Sequence, residues 1–203
     1  MKRLTTAEAD AYLNRIGMQV GGWNRVATTG AEGDKREWLN QRAPENAREL
    51  HNFSHHLAGW LPQGEWKIFQ IDNSTVLDAA QSTLFGRLLF GSERALDLGR
   101  MENSSFLFEF GSDPAANNAT ELLIANLIHV FLLFECHGYV VSSRSQAGQL
   151  LGILDGFGYF YSKDADVAGA RTLLENFERN PLQPPQWILD LIAEEQERII
   201  GSS

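Results

Sequence analysis

Apolar side chains run almost without a break from residue 122 to residue 134: Leu-Leu-Ile-Ala-Asn-Leu-Ile-His-Val-Phe-Leu-Leu-Phe. A helix that is apolar on nearly every side must be wrapped by other elements, so this stretch predicts the buried centre of the fold, a helix over about 119–135. It carries Asn126 and His129 and falls short of the ~20 apolar residues that a bilayer span needs, so it reads as a core helix.

Around that centre the pattern alternates between helical and strand periods. Thr5 and Glu8 form a capping-box pair that opens a first helix, and Gly17 closes it. Residues 17–43 carry five glycines and no sustained period, which predicts an irregular loop, functional or mobile, with a short helix over 34–41. Pro44 suits the first turn of a second helix reaching Trp60, with Ala47, Leu50, Phe53, Leu57 and Leu61 on its apolar face. After the Pro62-Gln63-Gly64 break, 65–71 reads as a strand, and Ser74 is the expected cap of a third helix ended by Gly91.

A short strand is expected at 94–98. Residues 105–110 alternate, with Phe106, Phe108 and Phe110 facing one way and Leu107 and Glu109 the other. Beyond the central helix the pattern predicts a strand at 138–143, a short helix at 145–154, a strand at 156–161 and helices over 164–178 and 186–200. Asp155-Gly156 is a turn signal between helix and strand. The expected fold is α+β: a small, mostly antiparallel mixed sheet of about four to five strands, packed by helices around the central one, with a helical C-terminus. Residues 1–203 are read as one globular domain, a usual size for a single core. The weakest point, 180–185, separates a single helix.

Charge changes this picture more than composition does. Residues 1–100 hold 12 basic and 12 acidic side chains, whereas 101–203 hold 5 and 14, so the whole formal charge of −9 falls in the second half. Such a surface repels phosphate backbones and anionic membranes and draws in basic proteins. The expected partner is therefore a basic protein, with neither nucleic acid nor membrane. Cys136, the one cysteine, cannot pair within the chain, and no apolar signal core follows the N-terminal Met-Lys-Arg-Leu-Thr-Thr. Both fit a cytoplasmic protein, in which the Asn-x-Ser/Thr triplets at Asn52, Asn73, Asn103 and Asn118 are chance matches.

Candidate chemistry is sparse. His51 and His55 share a helix face and could grip one metal ion, but no His-Glu-x-x-His or cysteine pair accompanies them, so neither metal nor cofactor is expected. If the central helix persists to Glu135, that carboxylate is buried on the apolar side, and with His137 (or His129 and Asp155) it could supply acid–base chemistry. Cys136 beside them reads as an inert core thiol. Arg144, alone among the basic residues between 101 and 154, is the natural counter-ion for a buried acid. No phosphate-binding glycine pattern and no Gly-x-Ser-x-Gly elbow occurs.

The better-supported expectation is a binding surface. Aromatic anchors in polar surroundings, Trp23, Trp38, Tyr159 and Tyr161, would combine with the acids Asp164, Asp166, Glu175, Glu178, Glu194 and Glu195. In composition the chain is similar to small cytosolic partner proteins such as bacterial immunity proteins that neutralise a toxin. That resemblance implies a non-catalytic protein that binds and blocks a basic partner, for instance a nuclease toxin. The alternatives are a small hydrolase using Glu135 and His137, and a structural subunit of an oligomer.

Overall fold

The computed structural model describes residues 1–20, 26–28, 37–71, 78–90, 105–145, 149–162, 169–172 and 175; at 19–20, 26–28, 37–40, 88–90 and 161–162 the description is of the backbone. In chain order the elements are β1 (Lys2–Leu4), α1 (Thr6–Arg15), β2 (Met18–Val20), β3 (Val26–Thr28), β4 (Glu37–Arg42), α2 (Ala47–Trp60), β5 (Trp66–Ile71), α3 (Ala79–Phe90), β6 (Ser105–Glu109), α4 (Pro114–Leu133), β7 (Gly138–Ser142), β8 (Leu150–Leu154) and β9 (Phe157–Ser162). Residues 169–172 are helical as well. Seven strands form one antiparallel sheet in the order β1-β6-β5-β7-β8-β9-β4, and β2 and β3 form a separate hairpin.

The α+β class is as expected, and the sheet is larger than expected. Three strands account for the difference. β8 was expected as part of a helix because Leu150-Leu151-Gly152-Ile153-Leu154 shows no alternation. It lacks alternation because both faces of the sheet are covered: Leu150 packs with Ile68, Val141 and Leu13 on one side, Leu151 and Ile153 with Phe69, Phe131 and Phe160 on the other. β4 replaces the short helix expected over 34–41; it lies at the sheet edge, where pairing with β9 overrides local preference. β1 has three residues, too few to leave a pattern.

Helix α4 is also longer than its apolar run. It begins at Pro114, with the Asp113 side chain accepting from Ala115 N–H at 2.9 Å, so its first two turns are polar. At 20 residues it is long and apolar enough, by length and composition, to cross a membrane. In this fold it is a core helix whose Ile124, Leu127, Ile128 and Phe131 are buried against the sheet and α2. Asp78 caps α3, accepting from Ala80 and Gln81 N–H, in the role expected of Ser74, which lies outside the described residues. The strand expected at 94–98 also lies outside them.

The capping box of α1 is present as expected: Thr5 Oγ1 accepts from Glu8 N–H, and Glu8 accepts from Thr5 N–H at 2.8 Å and from Lys2 Nζ at 3.0 Å. The backbone hydrogen bond from Thr5, then those from Lys2 and the Thr5 hydroxyl, hold the Glu8 carboxyl down to about 2, against an ordinary 4.5. A carboxyl lowered in the folded state adds stability above its unfolded value, and that stability is lost as pH falls through the folded value. The acid limb of the unfolding curve between pH 4.5 and about 2 should therefore be flatter in Glu8→Gln than in the parent, read by circular dichroism. Identical limbs would show that the cap does not contribute.

Candidate functional site at the end of the central helix

Helix α4 stops one residue before the apolar run does. Phe134 is its C-cap, Glu135 turns left-handed at φ 51°, and Cys136 N–H closes back on Phe131 C=O at 2.8 Å. This is a Schellman ending with glutamate where glycine is usual, at a conformational cost of about 1 kcal/mol. The turn throws Glu135 outward. The expectation of a buried carboxylate is corrected: Glu135 is exposed because the helix has already ended.

The β8–β9 hairpin brings a second carboxylate to the same place. Leu154 pairs with Phe157 across Asp155-Gly156, whose φ values of 49° and 75° fit a type I′ turn. The turn signal expected between helix and strand thus joins two strands. Asp155 Oδ1 lies 2.6 Å from His137 Nε2, and a Cβ placed on Gly156 would sit 3.8 Å from the Glu135 carboxylate. His137 is nearly buried at 13% exposure while Asp155 is 66% exposed. Beside them Leu133 and Phe134 expose 53% and 38% of their surface. Two carboxylates and two large apolar side chains therefore share one end of the molecule.

Cys136 is buried, and burial, aided by the Asp78 carboxylate, pushes its thiol up to about 12. It stays protonated at neutral pH and is a core residue, not a nucleophile.

The histidines of α2 meet α4. His51 and His55 lie edge-to-face with ring centres 4.6 Å apart, and His129 lies edge-to-face on His51 at 5.7 Å. Burial lowers the pKa of both His55 and His129. His51 adds to each, and the Leu50 backbone opposes the shift at His129. His129 Nδ1 is buried without a hydrogen-bond partner.

Trp23, Asp164, Asp166, Glu178, Glu194 and Glu195 lie outside the described residues. Trp38 and Tyr161 are register partners on β4 and β9. Tyr159 is half-buried with its ring 6.1 Å from that of Phe157, and Glu175 is exposed.

Sequence reasoning missed a buried ion pair. Lys67, in the middle of β5 and fully buried, pairs with Glu121 of α4. The lysine was visible inside an apolar strand, but its partner is 54 residues away and no local pattern joins them. Lys67 thus fills the role expected of Arg144, which is exposed and forms no ion pair among the described residues. Close by, a Cβ on Gly64 would run into the hydroxyls of Ser142 and Ser143, and Ser143 Oγ accepts from Glu65 N–H at 2.7 Å.

No protein-family model, no curated protein and no solved structure matches this chain.

Proposed function

We propose that this chain is a non-catalytic interaction protein that binds and blocks a basic protein partner, as immunity proteins block nuclease toxins. The observation that carries this reading is the end of α4, where exposed Leu133 and Phe134 stand beside the carboxylates of Glu135 and Asp155. An apolar centre with a charged rim is the usual anatomy of an interface. The formal charge of −9, all of it in the half that contains this patch, favours basic partners and speeds their approach. The left-handed Glu135 supports the same reading, because a residue kept where glycine would be more stable is often kept for function.

The test uses a basic protein encoded next to this chain, with association followed by interferometry at low and high salt. Glu135→Lys with Asp155→Lys is expected to slow association about tenfold or more at low salt, and salt should erase most of the difference. Phe134→Ala should act mainly on dissociation. Glu135→Gly is expected to raise stability by up to about 1 kcal/mol while weakening binding. Association indifferent to both charge reversal and salt would sink the proposal.

A second reading rests on the 2.6 Å contact between His137 and Asp155, a carboxylate that could orient an imidazole as a general base for hydrolysis, with Glu135 alongside. It predicts turnover of a p-nitrophenyl ester or phosphate that His137→Ala abolishes with the fold intact. Interaction alone predicts no such turnover.

A further inference from the structure

Where β5 begins and β6 and β7 end, the adjoining segments and the first turns of α4 frame a cavity of about 350 Å³, with Gly64, Glu65, Phe110, Asn117 and Arg144 in its wall. That volume lies at the low end of small-molecule sites. Three polar groups of this wall are uncommitted. The Arg144 guanidinium and the Glu65 carboxylate, both on exposed residues, form no ion pair among the described residues, with each other or elsewhere. The Asn117 amide oxygen is buried and has no hydrogen-bond partner, although buried polar atoms nearly always have one. The backbone that carries these groups is fixed. Phe110 N–H donates to Glu65 C=O and Ser143 N–H to Trp66 C=O, each at 2.8 Å. Ser143 Oγ accepts from Glu65 N–H at 2.7 Å, and Arg144 N–H donates to Ser142 Oγ at 3.4 Å. Walls ordered in advance lose less entropy when a ligand arrives.

From this arrangement we infer that the cavity binds a small zwitterion of the α-amino-acid class with an apolar side chain. Arg144 offers a carboxylate two parallel N–H donors. Glu65 and the Asn117 amide oxygen accept from an ammonium, which brings three donors, and the soft terminal torsion of Asn117 lets its amide turn toward the ligand. The half-buried Phe110 ring receives the apolar side chain. A plain anion such as phosphate would meet the like charge of Glu65, and a plain cation that of Arg144, so the pair selects a ligand carrying both signs. The cavity lies by the start of α4, whereas exposed Leu133 and Phe134 lie at its end, so this site is separate from the partner surface proposed above.

The experiment titrates L-phenylalanine and L-leucine into the full chain by isothermal calorimetry. N-acetyl-phenylalanine, which lacks the ammonium, and phenylalanine amide, which lacks the carboxylate, serve as capped probes. One equivalent of the free amino acid should bind, and each capped probe should bind about tenfold more weakly or worse. Arg144→Gln should weaken phenylalanine about tenfold while leaving phenylalanine amide within about twofold. Glu65→Gln should likewise weaken phenylalanine and leave N-acetyl-phenylalanine within about twofold. Asn117→Ala should weaken phenylalanine about threefold or more. Arg144 and Glu65 are exposed, so both variants should keep the fold, which circular dichroism confirms. Failure of both amino acids to bind 1:1 would overturn the inference. So would capped probes binding as tightly as the zwitterion, or an Arg144→Gln loss shared equally by the amide.

Discussion

Replacing Glu121 by glutamine is expected to cost the fold about 3 kcal/mol, toward the lower end of what breaking a buried ion pair costs. The partner left behind is the reason. Lys67 is fully buried in the middle of the sheet, facing Phe108 on one neighbouring strand and Ser142 on the other, with its ammonium 5.5 Å from the centre of the Phe110 ring. An aromatic face offsets only part of a cation's lost hydration, a contact worth about 2 kcal/mol when dry. Without the carboxylate the ammonium must draw in water or distort the strand, and each route is costly. About 20% of Glu121 stays exposed, so water already shares in its solvation, which places the effect at the lower end. Removing both charges tells a different story. Lys67→Met with Glu121→Leu should return to within ~1 kcal/mol of the parent, or exceed it, because well-packed apolar side chains need no hydration replaced. Urea unfolding of the four proteins in a double-mutant cycle measures this directly. A Glu121→Gln loss below ~1 kcal/mol would mean that the pair is solvated and contributes like a surface bridge.

What the sequence made legible follows the range of the interactions involved. The caps of α1, the face of α2, strands β5, β6, β7 and β9 and the Asp155-Gly156 turn each leave a pattern among neighbouring residues, although β5 pairs with β6 and β7 from distant parts of the chain. β8 was misread because full burial on both faces removes the alternation that marks a strand. β4 was misread because only its pairing with β9 makes it a strand. At the candidate site the same division holds. The presence of Glu135 and His137 near the end of an apolar helix was plain, but the exposure of Leu133, Phe134 and Glu135 depends on where that helix stops. A glutamate gives no warning of a left-handed turn, as a glycine would have. Lys67 and Glu121, distant in sequence, meet only once the sheet and α4 are assembled.

Where α4 stops is set from beneath, and Phe131→Ala tests this. The Phe131 ring is fully buried and stands edge-on to Phe69 at 4.8 Å and to Phe85 at 5.0 Å, near perpendicular to both. It thereby joins the sheet, α3 and α4 at one point. Truncation to alanine should cost about 3–5 kcal/mol, from lost burial, the cavity left behind and the two ring contacts. The sheet closes on this ring from below at Gly138, where a Cβ would stand 2.7 Å from Phe131 Cε1 and 2.6 Å from the Gln70 carbonyl oxygen. Gly138→Ala should therefore cost about 1–3 kcal/mol alone. In a Phe131→Leu background the ring conflict is gone but the backbone one remains, so rescue should be partial, with the two losses adding to more than the double variant shows. Full additivity would mean that the Gln70 carbonyl sets the whole constraint. Because the Phe131 carbonyl also accepts the Cys136 N–H that ends the helix, a shift of this residue moves the segment bearing Leu133, Phe134 and Glu135. Phe131→Leu, folded at low temperature, should then weaken partner binding although its side chain touches no solvent. Unchanged affinity in that variant would show that the surface patch is held in place without the core ring.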